Sequence, residues 1–227
     1  MKNIPIIILV QILAATALLA WRYLLAYGEP NGYAAFTSFP AAGSQALLFL
    51  GWNLFLALVP YALSLLLPMA QHRLLGAAVL FIWLLFLPNA PYLITDLIHL
   101  RPRPPVPIWA DILVFFFFAW TGLLLGLASL LNVQRYLLRW HTIKQTHFWI
   151  IGFAVLSSFG LYLGRVDRWN SWEAFLEPMH LLRHSLSLLS DPPIVLLAFL
   201  GFFTLLQGLG YAFFYHLSTS NPKTSTR

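Results

Sequence analysis

Long apolar runs, nearly free of charge, recur six times along the chain: Ile4 to Leu25, Ala46 to Leu67, Leu74 to Leu100, Ile112 to Leu131, Phe148 to Gly164 and Ile194 to Tyr215. Each approaches the roughly 20 residues that a helix needs to cross a hydrocarbon core of roughly 30 Å with its backbone polar groups satisfied internally. None alternates apolar and polar positions as a transmembrane barrel strand does. The pattern predicts an all-α fold, a polytopic bundle of about six transmembrane helices. A further segment near 171–190 repeats Phe175, Met179, Leu182, Leu186 and Leu189 at helical spacing, opposite Glu173, Glu177, His180 and His184. That amphipathic pattern predicts a helix lying in the membrane interface, interrupted at Pro178.

Composition narrows the class. With 60% hydrophobic and only 9% charged residues in 227, the chain lacks the roughly one-quarter charged content of a soluble domain. The expectation is a single integral membrane domain over residues 1–217, followed by a short disordered cytoplasmic tail, 218–227. Lys2 and the apolar run ending in Ala14, Ala15, Ala17 and Ala20 also resemble a secretory signal, but the run outlasts the usual h-region and is read as a retained span. The absence of cysteine excludes disulfides, thiol nucleophiles and thiolate metal sites. The net charge of +6 is scattered among short loops and forms no continuous stripe, so no nucleic-acid partner is expected.

Charge also suggests an orientation. A cytoplasmic N-terminus puts Lys2, Arg73, Arg135, Arg139, Lys144, Lys223 and Arg227 inside, and leaves Arg22, Arg101, Arg103, Arg165, Arg168 and Arg183 outside. The bias is small but follows the positive-inside rule, with both termini cytoplasmic. The seven carboxylates, Glu29, Asp96, Asp111, Asp167, Glu173, Glu177 and Asp191, then all fall outside. The inner face is uniformly positive, as anionic headgroups favour. The outer face carries both signs and most of the groups able to do chemistry.

The third span is the most informative element. Its purely apolar part, Leu74 to Leu87, is about 14 residues and reaches about 21 Å, short of a bilayer core. The span must therefore continue through Pro88 and Pro91, and a break is expected there. Beyond it, Asn89, Tyr92, Asp96 and His99 recur at spacings of three, four and three, which aligns them on one helix face. Depth arithmetic places Asn53 of the antiparallel second span level with Asn89, and the two amides are expected to share a hydrogen-bond network.

The fifth span ends at Gly164 and leads into Arg165 and Arg168, a pair of guanidiniums suited to a phosphate or carboxylate. Pairing with Asp96, Asp167 or Glu173 is an equally physical use for them, and Trp169 and Trp172 suit the headgroup belt. Asn170 and Glu173 fit a capping box, N-cap and reciprocal N3 partner, and are also candidates to contact a substrate. Glu173, Glu177, His180 and His184 have metal-ligand chemistry, but their face points to water and is read as a solvated polar face, so no metal site and no cofactor are expected. Gly122 with Gly126, and Gly160 with Gly164, read as close-packing positions. Gln11, Thr121 and Gln207 read as sources of interhelical hydrogen bonds.

Three strings carry a family resemblance: Trp52-Asn53-Leu54-Phe55-Leu56-Ala57; Phe86-Leu87-Pro88-Asn89-Ala90-Pro91-Tyr92 through Asp96 and His99; and Gly160-Leu161-Tyr162-Leu163-Gly164-Arg165 with Arg168-Trp169-Asn170-Ser171-Trp172. Over most of its length from the second span onward, the chain resembles the bacterial membrane proteins grouped as domain of unknown function 1361 (DUF1361). The resemblance implies a multi-span protein of a bacterial inner membrane without assigned chemistry. Glu173 stands where the family pattern has Asp, which keeps the carboxylate but sets it one methylene further out.

Three functions fit these residues. In the first, Asp96 and His99 supply general base and acid for a lipid or lipid-linked anionic substrate bound through Asn53, Asn89, Tyr92, Arg165, Arg168, Asn170 and Glu173. In the second, the chain is a non-catalytic partner that binds membrane lipid or another membrane protein. In the third, it is a transporter or lipid translocator whose broken third helix lines the path. The missing repeat of broken helices and the lack of mid-membrane charge speak against the third.

Overall fold

Helices long and apolar enough to cross a membrane number six among the described residues, and the chain is a multi-pass membrane protein. The computed structural model describes residues 4–27, 47–70, 72–169 and 176–219. In chain order the helices are α1 (Ile4–Tyr27), α2 (Leu48–Leu66), α3 (Arg73–Phe86), α4 (Asn89–Thr95), α5 (Ile108–Leu137), α6 (Ile143–Arg165), α7 (Pro178–Ser190) and α8 (Ile194–Thr219). Short 3-10 turns follow α2 at Leu67–Met69 and α4 at Asp96–His99. The described residues contain no strand, only an isolated bridge between Arg103 and Val106.

Several helix ends differ from the hydropathy reading, each for a local reason. The fifth span begins at Ile143 rather than Phe148, because Thr142 and Gln145 form a capping box: Gln145 N–H donates to Thr142 Oγ1 (3.4 Å) and Thr142 N–H to Gln145 Oε1 (2.9 Å). Pro178 does not interrupt α7 but opens it, at a position where its missing N–H has no intrahelical partner to lose. α8 runs on to Thr219, past the expected start of the tail, with the Ser218 hydroxyl donated back to the Tyr215 carbonyl (2.7 Å). The rest of that tail, residues 220–227, lies outside the described residues, as do Phe175 and the Asn170–Glu173 capping box.

The third span breaks as its prolines require. α3 stops at Phe86, with Leu87 N–H still bonded to the Trp83 carbonyl (2.8 Å), and Pro88 cannot donate to the next one. A new helix starts at Asn89 and carries Pro91 in its first turn, where no donor is needed. It then tightens into the 3-10 turn at Asp96–His99.

By contact the chain divides into two compact units, Met1–Leu58 with Asn89–Leu125, and Val59–Pro88 with Gly126–Arg227. The core of the first unit is Leu47, just before α2, and the α2 stripe Leu50, Leu54 and Ala57, together with Ala110, Val114, Phe115 and Phe118 of α5, all fully or almost fully buried. Trp52 and Phe55, on the other side of α2, are more than half exposed, as lipid-facing residues are. A Cβ added to Gly122 would meet the Ala90 carbonyl at 2.5 Å and Leu93 Cδ1 at 2.6 Å, so this glycine lets α4 lie directly against α5.

In the second unit, polar groups tie α6 to α8 inside an apolar setting. Ser158 Oγ accepts from Thr204 Oγ1 (3.2 Å) and from Gln207 Nε2 (3.1 Å), so Gln207 does make the interhelical bond expected of it. The Thr121 hydroxyl of the first unit instead donates within its own helix, to the Phe117 carbonyl (2.7 Å). Gln11 Oε1 is buried with no hydrogen-bond partner among the described residues. Trp83 is fully buried on α3, edge-on to Phe153 of α6 at 5.2 Å, and Gly160 of α6 lies close against Pro88.

Candidate functional site

The break at Pro88 delivers the polar residues of the third span into the first unit. Asn89 and Tyr92 are half-buried on α4, and Asp96 is buried at 1% exposure at the start of the 3-10 turn. His99 ends the turn and is exposed, with its ring edge-on to Phe49 at 5.4 Å. The turn geometry has a chemical consequence. In a 3-10 segment the side chains at i and i+3 eclipse, so Asp96 and His99 project from the same edge.

Asn53, on α2, donates from Nδ2 to Asp96 Oδ2 at 2.8 Å. Depth arithmetic had set Asn53 beside Asn89; its bond here runs to the carboxylate further along the same polar row. The amide fixes one carboxylate oxygen. A carboxylate and an imidazole are groups able to take up and hand on a proton.

Close to this pair lies a charge cluster that hydropathy does not reveal. Asp111, in the first turn of α5, is fully buried and accepts from Arg22 Nε of α1 at 2.8 Å and from an Arg103 guanidinium nitrogen at 3.2 Å. Arg22 and Arg103 are themselves buried, and Arg103 lies 5.8 Å from the Phe115 ring. The second terminal nitrogen of Arg103 donates to the His99 carbonyl at 2.6 Å, which pins the end of the 3-10 turn. Burial pushes the Arg103 guanidinium below the usual arginine range, and the hydrogen bond and charge of Asp111 act against that shift. The available signal was Arg22 itself, a charge inside a span, which must be partnered.

The second unit holds the other polar run. Arg165 sits half-buried in the last turn of α6. Arg168 is exposed, takes no partner among the described residues, and adopts a left-handed backbone (φ 62°) while Trp169 N–H bonds back to the Leu163 carbonyl at 3.1 Å. Asp167 between them is taken by His184 of α7, Nε2 to Oδ2 at 2.9 Å. Trp169 stacks on His184 (6.2 Å, 26°) and tilts against His180 (5.1 Å), which pairs loosely with Glu177 at 3.5 Å. The polar side of α7 thus meets the end of α6, whereas Met179, Leu182, Leu186 and Leu189 are each more than half exposed. No group of three metal-ligating side chains forms among the described residues. Asn170 and Glu173 lie outside the described residues.

The family model described as "Protein of unknown function (DUF1361)" matches residues 52–207, a stretch that takes in Asn53, the 89–99 segment, Arg165 and Arg168. No curated protein and no solved structure matches the chain.

Proposed function

The chain belongs to the DUF1361 family, and on that footing we propose that it acts at one face of a bacterial plasma membrane on a lipid or lipid-linked anionic substrate. The observation that carries this reading is the buried Asp96 carboxylate, held by the Asn53 amide at 2.8 Å and sharing an edge with the exposed His99. Placing an acid within a span is costly, and such groups are functional by default. Asp96 serves as general base and His99 as general acid, while Asn53, Asn89 and Tyr92 shape the approach to them. Arg165 and Arg168, with Asn170 and Glu173 beside them in sequence, bind an anionic group at the extracytoplasmic face, and both termini are cytoplasmic. Arg168 supports this role: it is kept in a left-handed backbone that suits glycine better, with its side chain exposed rather than packed.

A second reading, a non-catalytic lipid-binding or assembly partner, is favoured by the exposed apolar stripe of α7. The two readings separate in a deletion strain complemented with variants, followed through its membrane-lipid and envelope-glycolipid profile. A positioned acid or base contributes about 10²–10⁴-fold to a rate, so Asp96→Asn and His99→Gln should insert normally and leave the deletion profile unrestored. Full restoration by both, with failure of Trp169→Ala, would establish the assembly partner instead.

A further inference from the structure

The second unit has a cavity of about 320 Å³ where the start of α3 meets the end of α5, lined at one end by Arg73, Trp140 and His141. The Arg73 guanidinium lies over the Trp140 ring at 5.8 Å and takes no carboxylate or carbonyl partner among the described residues. No described residue competes for its N–H donors, and their fork geometry matches a phosphate. Further basic groups, Arg139 and Lys144, lie at this end of the helices. The described carboxylates of the unit, Asp167, Glu177 and Asp191, all follow the opposite end of α6.

The other wall is apolar. Ala77, Leu80 and Leu137 continue the cavity along the two helices, and Leu74, Leu75 and Leu138 beside it are exposed. From Arg73 to Leu80 the helix rises about 10 Å, which carries the wall from the headgroup layer into the hydrocarbon. Tyr136, which closes the side, approaches α3 only because residue 76 is glycine, since a Cβ there would collide with its hydroxyl.

We infer that this cavity binds an anionic phospholipid, with the phosphate on Arg73 against Trp140 and the glycerol and acyl chains along Ala77, Leu80 and Leu137. A soluble phosphate would use the cationic end alone and leave the apolar wall uncovered. The cavity belongs to the second unit and the Asp96 segment to the first, and its occupancy does not depend on the function proposed there.

The test is native mass spectrometry of the full chain in detergent, titrated with dioleoyl phosphatidylglycerol, dioleoyl phosphatidylcholine or glycerol phosphate. One basic contact at a membrane surface predicts about fivefold tighter binding of phosphatidylglycerol than of phosphatidylcholine. Arg73→Gln should bring that ratio close to one, and Ala77→Phe, which fills the apolar wall and keeps the charge, should weaken phosphatidylglycerol binding. Glycerol phosphate at matched concentration should not displace the lipid. The assignment is overturned if Arg73→Gln keeps the preference, if glycerol phosphate displaces the lipid, or, should Arg73→Gln fail to fold, if Ala77→Phe binds phosphatidylglycerol like the parent chain.

Discussion

Asp111 shows how this protein handles charge at its most expensive. Two arginines, one of them 89 positions away in sequence, neutralise a carboxylate with no exposed surface. Removing one member of such a cluster strands the others, so Asp111→Ala should cost about 3–5 kcal/mol, read as a lowered melting temperature of the purified protein. Restoration of stability by replacing Arg22, Arg103 and Asp111 together with apolar residues would show that the cluster fixes geometry rather than adding stability. The pairing was not legible in the sequence, because sorting charges by membrane side says nothing about which of them meet. Arg168 was found by its spacing from Arg165, but no glycine or asparagine marked its left-handed backbone. Arg168→Gly should leave stability unchanged or raise it by up to about 1 kcal/mol, and Arg168→Val should lower it. Both should impair use of an anionic substrate, so melting and function move independently at this position.

Among the elements, the third span was read most fully from sequence. Its apolar run was too short, and two prolines plus a polar row at helical spacing announced both the break and the short polar helix beyond it. The tightening at Asp96 was not announced, since 3-10 and α geometries share the same residue types over a single turn. The glycines that accommodate this broken segment were legible only as small residues. Gly122→Val should drive a side chain into the Ala90 carbonyl and Leu93 and destabilise by about 1–3 kcal/mol. Gly152, in the interior of α6 with nothing within 4 Å of its would-be Cβ, is the control. Gly152→Ala should be neutral or stabilising by up to about 1 kcal/mol. If both substitutions cost the same, helix propensity and not close packing explains Gly122. The early start of α6 comes from a capping signal, Thr142 with Gln145, that a hydropathy window passes over.

For the whole molecule, the proposed orientation puts the ends of the third and fifth spans outside and the Lys144 end of α6 in the cytoplasm. The parent chain has no cysteine, so single introduced thiols report without background. The most direct measurement is labelling of His99→Cys, Arg168→Cys and Lys144→Cys in intact cells with a membrane-impermeant maleimide. The expected result is modification of the first two from outside, and of the third only after the cells are opened. Modification of His99→Cys and Arg168→Cys from opposite sides would contradict this orientation.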